Sequence, residues 1–189
     1  YCSSSIIVCL FGDEKQMIYE YKGASIQYMY KILESKPENK IIETNKSYRI
    51  TKQMSEFLNK GFNMNITSDK DEGNKIRCIE TDNRWYATYQ ECEFYINKGF
   101  CESDIYIICS SVKCKKTSSI KYLQQLLTRK CILIEIPITD VNPLFYKNKL
   151  LINTIHGMKG LENKVVIFSM FDKQFEDIFS KSSESCPNE

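Results

Sequence analysis

"LLINTIHGMKGLENKVVIF" runs from Leu150 to Phe168. An apolar run, Leu150–Thr154, gives way to a polar turn with His156, Gly157, Lys159 and Gly160. Leu161 and Glu162 follow, and a second apolar run, Val165–Phe168, begins soon after. Both runs are short, continuous and rich in Ile, Leu and Val, the pattern of strands covered on both faces. The turn therefore sits just past the end of a buried strand. Thr154, His156 and Lys159 offer donors suited to phosphate, and the two glycines would let a ligand approach the backbone. His156 fits a purely structural role in such a turn equally well.

The strand pattern recurs upstream at Ile6–Phe11, Ile76–Ile79, Ile105–Cys109 and Cys131–Ile136. Helical spacing lies between these runs. Trp85, Tyr89, Cys92 and Tyr95 step by three and four across Trp85–Lys98. Ile120, Leu123, Leu126 and Leu127 do so across Ser118–Arg129, where a serine caps the start and two bases suit the end. A third helix follows Thr51 through Met54, Phe57 and Leu58, with Gly61 expected to close it. A fourth covers Ala24–Leu33, before Pro37. Strands alternating with helices predict an α/β fold with a mainly parallel sheet and flanking helices. Ligands of such sheets gather at the carboxyl ends of the strands. Pro37–Lys40 reads as a linker, with a domain boundary near Lys46. Thr67–Lys75 reads as a charged, hairpin-like loop, and Pro137–Asn148 as an irregular connection.

The chain has 189 residues and a net charge of +2, enough for about one domain or one domain plus part of another. At 42% hydrophobic it can bury a real core, which excludes wholesale disorder. Its charge decides nothing about nucleic acid, because a local stripe can bind what the average hides. Nine cysteines include no C-x-x-C pair, and His156 is the only histidine, so no metal site is expected. Cysteines inside apolar runs, as in "IYIICSS" and "RKCILIEI", behave as buried thiols, and an odd count suggests a reducing, intracellular compartment. No apolar stretch is long enough to span a bilayer. The start without Met and the polar end "SKSSESCPNE" suggest a piece of a longer protein.

Two more stretches hold chemistry at expected strand or helix ends. "GDEKQMIYEYKGA", Gly12–Ala24, follows the first apolar run. The amide of Gln16 can orient a water or contact a phosphate without adding charge. Tyr19 and Tyr21 beside Lys22 have the makeup of a base-stacking platform next to a phosphate contact; surface tyrosines on a strand–turn–helix would read the same. In "SYRIT", Ser47–Thr51, an aromatic next to an arginine could stack a base and fork onto a phosphate. A surface tyrosine beside a salt-bridged arginine would also fit. "SSVKCKK", Ser110–Lys116, is a modest basic patch or a solvated loop.

Taken together, these stretches resemble the UvrD/Rep-type superfamily 1 helicases. "GDEKQMIYEYKGA" is similar to their motif III, G-D-x-x-Q-x-I-Y-x-[WF]-[RK]-G-A. "SYRIT" is similar to motif IV, N-Y-R-S, and "TIHGMKGLE" to motif V, T-x-H-x-x-K-G-L-E. The three occur in the family's order, and the resemblance runs from about Ile6 to Phe171. It implies a RecA-like (P-loop NTPase-type) sheet. Residues 1–46 would end a first RecA-like domain with motif III and the linker, and 47–189 would form an incomplete second one. It further implies ATP-driven movement on single-stranded DNA in the 3′ to 5′ direction, with Mg2+ as the companion ion of ATP. RNA remains open as a substrate.

By match to motif III, Gln16 would sense the γ-phosphate, and Tyr19, Tyr21 and Lys22 would meet the nucleic acid. By match to motif IV, Tyr48 would stack on adenine and Arg49 would reach the γ-phosphate as a catalytic cation. By match to motif V, Thr154 and His156 would face the strand, and Lys159, Gly160 and Glu162 would lie on the nucleotide side. The sequence departs from the family where Ser47 replaces Asn, Ile50 replaces Ser and Tyr21 replaces Trp or Phe. The phosphate-binding G-x-x-x-x-G-K-[ST] loop, the magnesium Asp-Glu pair and the terminal arginine motif are absent. The missing N-terminal RecA-like domain is thus an expected partner, and the fragment alone is expected not to hydrolyse ATP. Arg49 and Thr154 are 105 positions apart, room for the core fold without a large accessory insertion. Two alternatives stay open: a catalytically degenerate helicase-like module that binds nucleic acid or protein, and the motor part of a helicase–nuclease.

Overall fold

In Ile105–Cys109 (β3) every second side chain, from Ile105 through Ile107 to Cys109, is buried, while Tyr106 and Ile108 are half-buried. That alternation makes β3 a central strand with a helix layer on one face and thinner cover on the other. The computed structural model describes residues 9–13, 16, 23, 25–35, 40, 42–110, 112, 119–127, 131–133 and 140–169. The chain divides into two compact units, Tyr1–Cys78 and Ile79–Glu189.

The second unit is a parallel sheet in the order β4-β5-β3-β6, with β4 at Cys131–Leu133, β5 at Leu150–Thr154 and β6 at Val165–Phe168. On one face α3 (Arg84–Asn97) and α4 (Ser119–Leu127) cover the sheet. Trp85, Cys92, Leu123 and Leu127 pack there with Ile105, Ile107, Leu150, Ile152 and Val165. Burial of this many aliphatic side chains supplies the main stabilisation, at about 1.5–3 kcal/mol each. On the other face Leu151 and Met158 are buried, with Tyr106, Ile108, Val141 and Tyr146 around them. Burial there raises the pKa of the Tyr106 phenol above its ordinary value, with Tyr146 adding a smaller push.

The sheet expected from the sequence is therefore mixed α/β and parallel, and its helices alternate with strands as the spacing predicts. Several expectations about individual strands fail. Ile76–Ile79 is irregular, with Ile76 and Ile79 exposed; the short run, broken by Arg77 and Cys78, finds no strand to pair with among the described residues. Val165–Phe168 is covered on one face only, leaving Val166 and Phe168 exposed. Among the described residues it is the last strand in the order, with a neighbour on one side alone. Of the expected buried strand Ile6–Phe11, Ile6, Ile7 and Val8 lie outside the described residues, while Cys9, Leu10 and Phe11 are irregular and exposed. The end of Cys131–Ile136 and most of Ser110–Lys116 also lie outside the described residues.

The first unit holds α1 (Gln27–Glu34), β1 (Lys46–Ser47), α2 (Lys52–Phe62) and β2 (Thr67–Ser68). Thr51 caps α2, accepting the Met54 N–H on its hydroxyl. The expected stop at Gly61 is displaced: Gly61 lies within the helix, and Asn63 adopts the left-handed φ of 49° that ends it. Asn can take this conformation because its short side chain hydrogen-bonds locally. Thr67–Lys75 is not a hairpin. Thr67 and Ser68 pair in parallel with Lys46 and Ser47, and Asn59 holds both the N–H and the carbonyl of Ile66. Among the described residues, no helix is long and apolar enough to cross a membrane.

The other unit's irregular connection, Pro137–Asn148, contains a short helix, α5 (Pro143–Tyr146), capped by the Asn142 side chain. Among the described cysteines, Cys92 and Cys109 are buried and outside any disulfide, while Cys9, Cys78 and Cys101 are exposed.

Candidate functional site

Parallel pairing brings the carboxyl ends of three strands to one edge. Cys109 lies opposite Thr154, and Ile108 opposite Phe168. From this edge β3 leads into α4 on the helix-covered face. Its neighbour β5 leads into α6 (Ile155–Met158) on the other face, where Met158 is buried. Exits of adjacent strands to opposite faces mark the position where open parallel sheets take ligands.

The "TIHGMKGLE" stretch forms this exit. Thr154 is the N-cap of α6, and its hydroxyl oxygen accepts the Gly157 N–H at 3.2 Å. The hydroxyl proton remains free to donate outward. Thr154 and His156 are half-buried, whereas Lys159, Gly160 and Glu162 are exposed in the segment after α6. The segment then passes to the opposite edge. There Asn163 donates to the Ser103 carbonyl at 2.9 Å, and Lys164 pairs with Asp104 at 3.0 Å. Strand-facing and nucleotide-facing candidates thus occupy successive parts of one short connection.

The two glycines have causes other than ligand approach. Gly157 faces the side chain of Asn153: a Cβ there would meet its Oδ1 at 2.4 Å and its Nδ2 at 2.5 Å. Gly160 has open space around it but a φ of 81°, which only glycine adopts without cost. Asn153 itself was not legible as important from its sequence. It is 1% exposed, and its Oδ1 accepts the Thr154 N–H at 2.7 Å. The available signal was a polar residue inside the apolar run "LLINT".

In the first unit, Ser47 shapes the "SYRIT" turn. Its hydroxyl accepts the N–H groups of Arg49 and Ile50 at 3.3 and 3.4 Å. Ser68 in turn donates to the Ile50 carbonyl at 2.6 Å. The turn leaves Tyr48 and Arg49 exposed ahead of the α2 cap. Lys46 stands 5.3 Å from the centroid of the Tyr48 ring and pairs with Asp69. The hydrogen bond to Asp69 raises the pKa of the Lys46 ammonium above its ordinary value. Residue 47, where the helicase pattern has Asn, thus carries the turn with a hydroxyl instead.

Gln16 is exposed and donates from Nε2 to the Asp13 carboxylate at 2.7 Å, within a single turn. Tyr19, Tyr21 and Lys22 lie outside the described residues. The structure therefore brings Thr154, His156, Lys159, Gly160 and Glu162 into one connection, and Tyr48 and Arg49 into one turn. Among the described residues, no cluster of three or more His, Cys, Asp or Glu side chains could hold a metal ion. Comparisons of the chain with protein-family models, curated proteins and solved structures return no match.

Proposed function

We propose that the chain is part of an ATP-dependent superfamily 1 helicase or translocase with a RecA-like sheet, acting on single-stranded DNA. The observation that carries this reading is the position of "TIHGMKGLE". It leaves the carboxyl end of a central parallel strand with Thr154 capping the turn and His156 half-buried beside it. The order of the three motif-like stretches supports the same reading. In it, residues 1–46 end a first RecA-like domain and residues 47–189 belong to a second.

ATP supplies the phosphoryl group whose loss drives the cycle. Tyr48 and Arg49 are both exposed and adjacent, which suits a purine stack and a phosphate fork. Gln16 would orient the attacking water through its amide, once released from Asp13. Thr154 and His156 would hold the strand, and Tyr19, Tyr21 and Lys22 would add a stacking platform. The described residues offer no carboxylate cluster for magnesium, so no step is assigned to that ion.

The test is single-strand-stimulated ATP hydrolysis by the protein that carries this chain and its upstream domain. Gln16→Ala or Arg49→Ala should cut turnover about a thousandfold and leave affinity for a labelled oligothymidine nearly unchanged. Near-normal turnover in either variant would remove these residues from the reaction.

A further inference from the structure

We infer that Asn153 is the positioning residue of the proposed strand site, acting through the turn that carries Thr154 and His156. The inference rests on the helicase reading and names a residue outside the three motif-like patterns.

Asn153 is the penultimate residue of β5, next to the Thr154 cap, and its side chain is buried beneath the turn that follows. Three contacts fix it there. Its Oδ1 accepts the N–H of Thr154 at 2.7 Å. Its own carbonyl receives the Cys109 thiol at 3.6 Å, a link to the neighbouring strand β3. Its Oδ1, Nδ2 and Cγ lie within 2.6 Å of where a Gly157 Cβ would stand. Thr154 completes the arrangement by accepting the Gly157 N–H on its hydroxyl.

The consequence is a closed chain of constraints: Asn153 holds Thr154, Thr154 holds Gly157, and Gly157 rests on Asn153. The direction of the Thr154 hydroxyl and the pitch of the His156 turn follow from it. A buried amide also resists displacement, because moving it would strand its polar atoms away from water. The site is therefore set before any ligand arrives, and its hydroxyl donor needs no reorganisation on binding.

The steric and positioning roles separate in a double variant. The three atoms nearest to a side chain at position 157 all belong to Asn153. Asn153→Ala removes all three. Gly157→Ala should therefore lower the melting temperature sharply, and adding Asn153→Ala should raise it again. Asn153→Ala alone introduces no clash and should stay folded by circular dichroism. Affinity is read as fluorescence anisotropy of a fluorescein-labelled oligothymidine, below the melting temperature of each variant. Asn153→Ala and the double variant should both bind about tenfold more weakly than wild type, the scale of one lost charge-assisted contact.

Wild-type affinity in a folded double variant would overturn the inference alone, since a purely steric role predicts recovery of binding with stability. Failure of Asn153→Ala to raise the melting temperature of Gly157→Ala would overturn the geometric lock. Absence of binding by the wild-type protein would overturn the helicase reading, and the inference with it.

Discussion

Thr88 and Ser169 share a buried hydrogen bond of 2.7 Å that joins α3 to the end of β6. Its polarity can be worked out. Thr88 Oγ1 donates its single proton to the Arg84 carbonyl at 2.7 Å, so Ser169 is the donor across the pair. Ser169 is held in place by its own N–H, which donates to the Ile108 carbonyl at 2.9 Å. Thr88→Val keeps the branched shape but leaves the Ser169 hydroxyl buried without its acceptor, at a cost of about 1–3 kcal/mol. Ser169→Ala leaves Thr88 still donating to Arg84 and removes one ordinary bond, at a cost of about 0.5–1.5 kcal/mol.

In the double variant the orphaned donor disappears, so the combined cost should fall short of the sum by about 1 kcal/mol. Urea denaturation followed by tryptophan fluorescence is a suitable assay. Trp85 is the single tryptophan and is buried in the core of the same unit. Equal costs for the two single variants, or strict additivity, would refute the assigned donor and acceptor.

Gly160→Ala meets no neighbouring atom but must adopt a φ of 81°, so it should destabilise by about 1–2 kcal/mol in the same urea assay; no loss would mean that the connection relaxes freely. The Asp104 carboxyl is held below its ordinary pKa, first by its bond to Lys164 and then by the Cys101 N–H. A depressed carboxylate adds stability that is present above its unfolded pKa and lost as pH falls through the folded value. Melting temperature should therefore drop as acid is added below about pH 4, and Asp104→Asn should flatten that drop; parallel profiles would exclude the pair. Under the helicase reading, Tyr21→Ala should cost about 1–3 kcal/mol of single-strand affinity in an anisotropy titration. Unchanged affinity would remove Tyr21 from the stacking platform.

The layout of the second unit was legible in its sequence because its strands and helices carry strong local periods. Ile105–Cys109 and Leu150–Thr154 have the bounds that their apolar runs suggest, and α3 starts one residue before Trp85. Short or end signals were less informative. Ile76–Ile79 has a strand's composition and, among the described residues, no strand to pair with. Gly61 has a helix stop's identity, yet Asn63 supplies the left-handed residue. The candidate site was legible as residue types in order, but not in its support. Nothing in "SYRIT" tells that Ser47 accepts two backbone N–H groups, and nothing in "LLINT" tells that Asn153 lies under Gly157.

What the sequence determined alone is the alternation of strands and helices, the apolar faces and the polar stretches between them. These depend on neighbours three or four positions away, or on every second residue. The strand order β4-β5-β3-β6, the opposite exits of β3 and β5, and the reason for each glycine depended on tertiary structure. Pairing joins residues far apart in the chain, such as Cys109 and Thr154, and no local period encodes it. Gly157 and Gly160 are the same residue in the same connection. One is required because Asn153 lies against it and the other because its backbone turns left-handed, a difference that exists only in three dimensions.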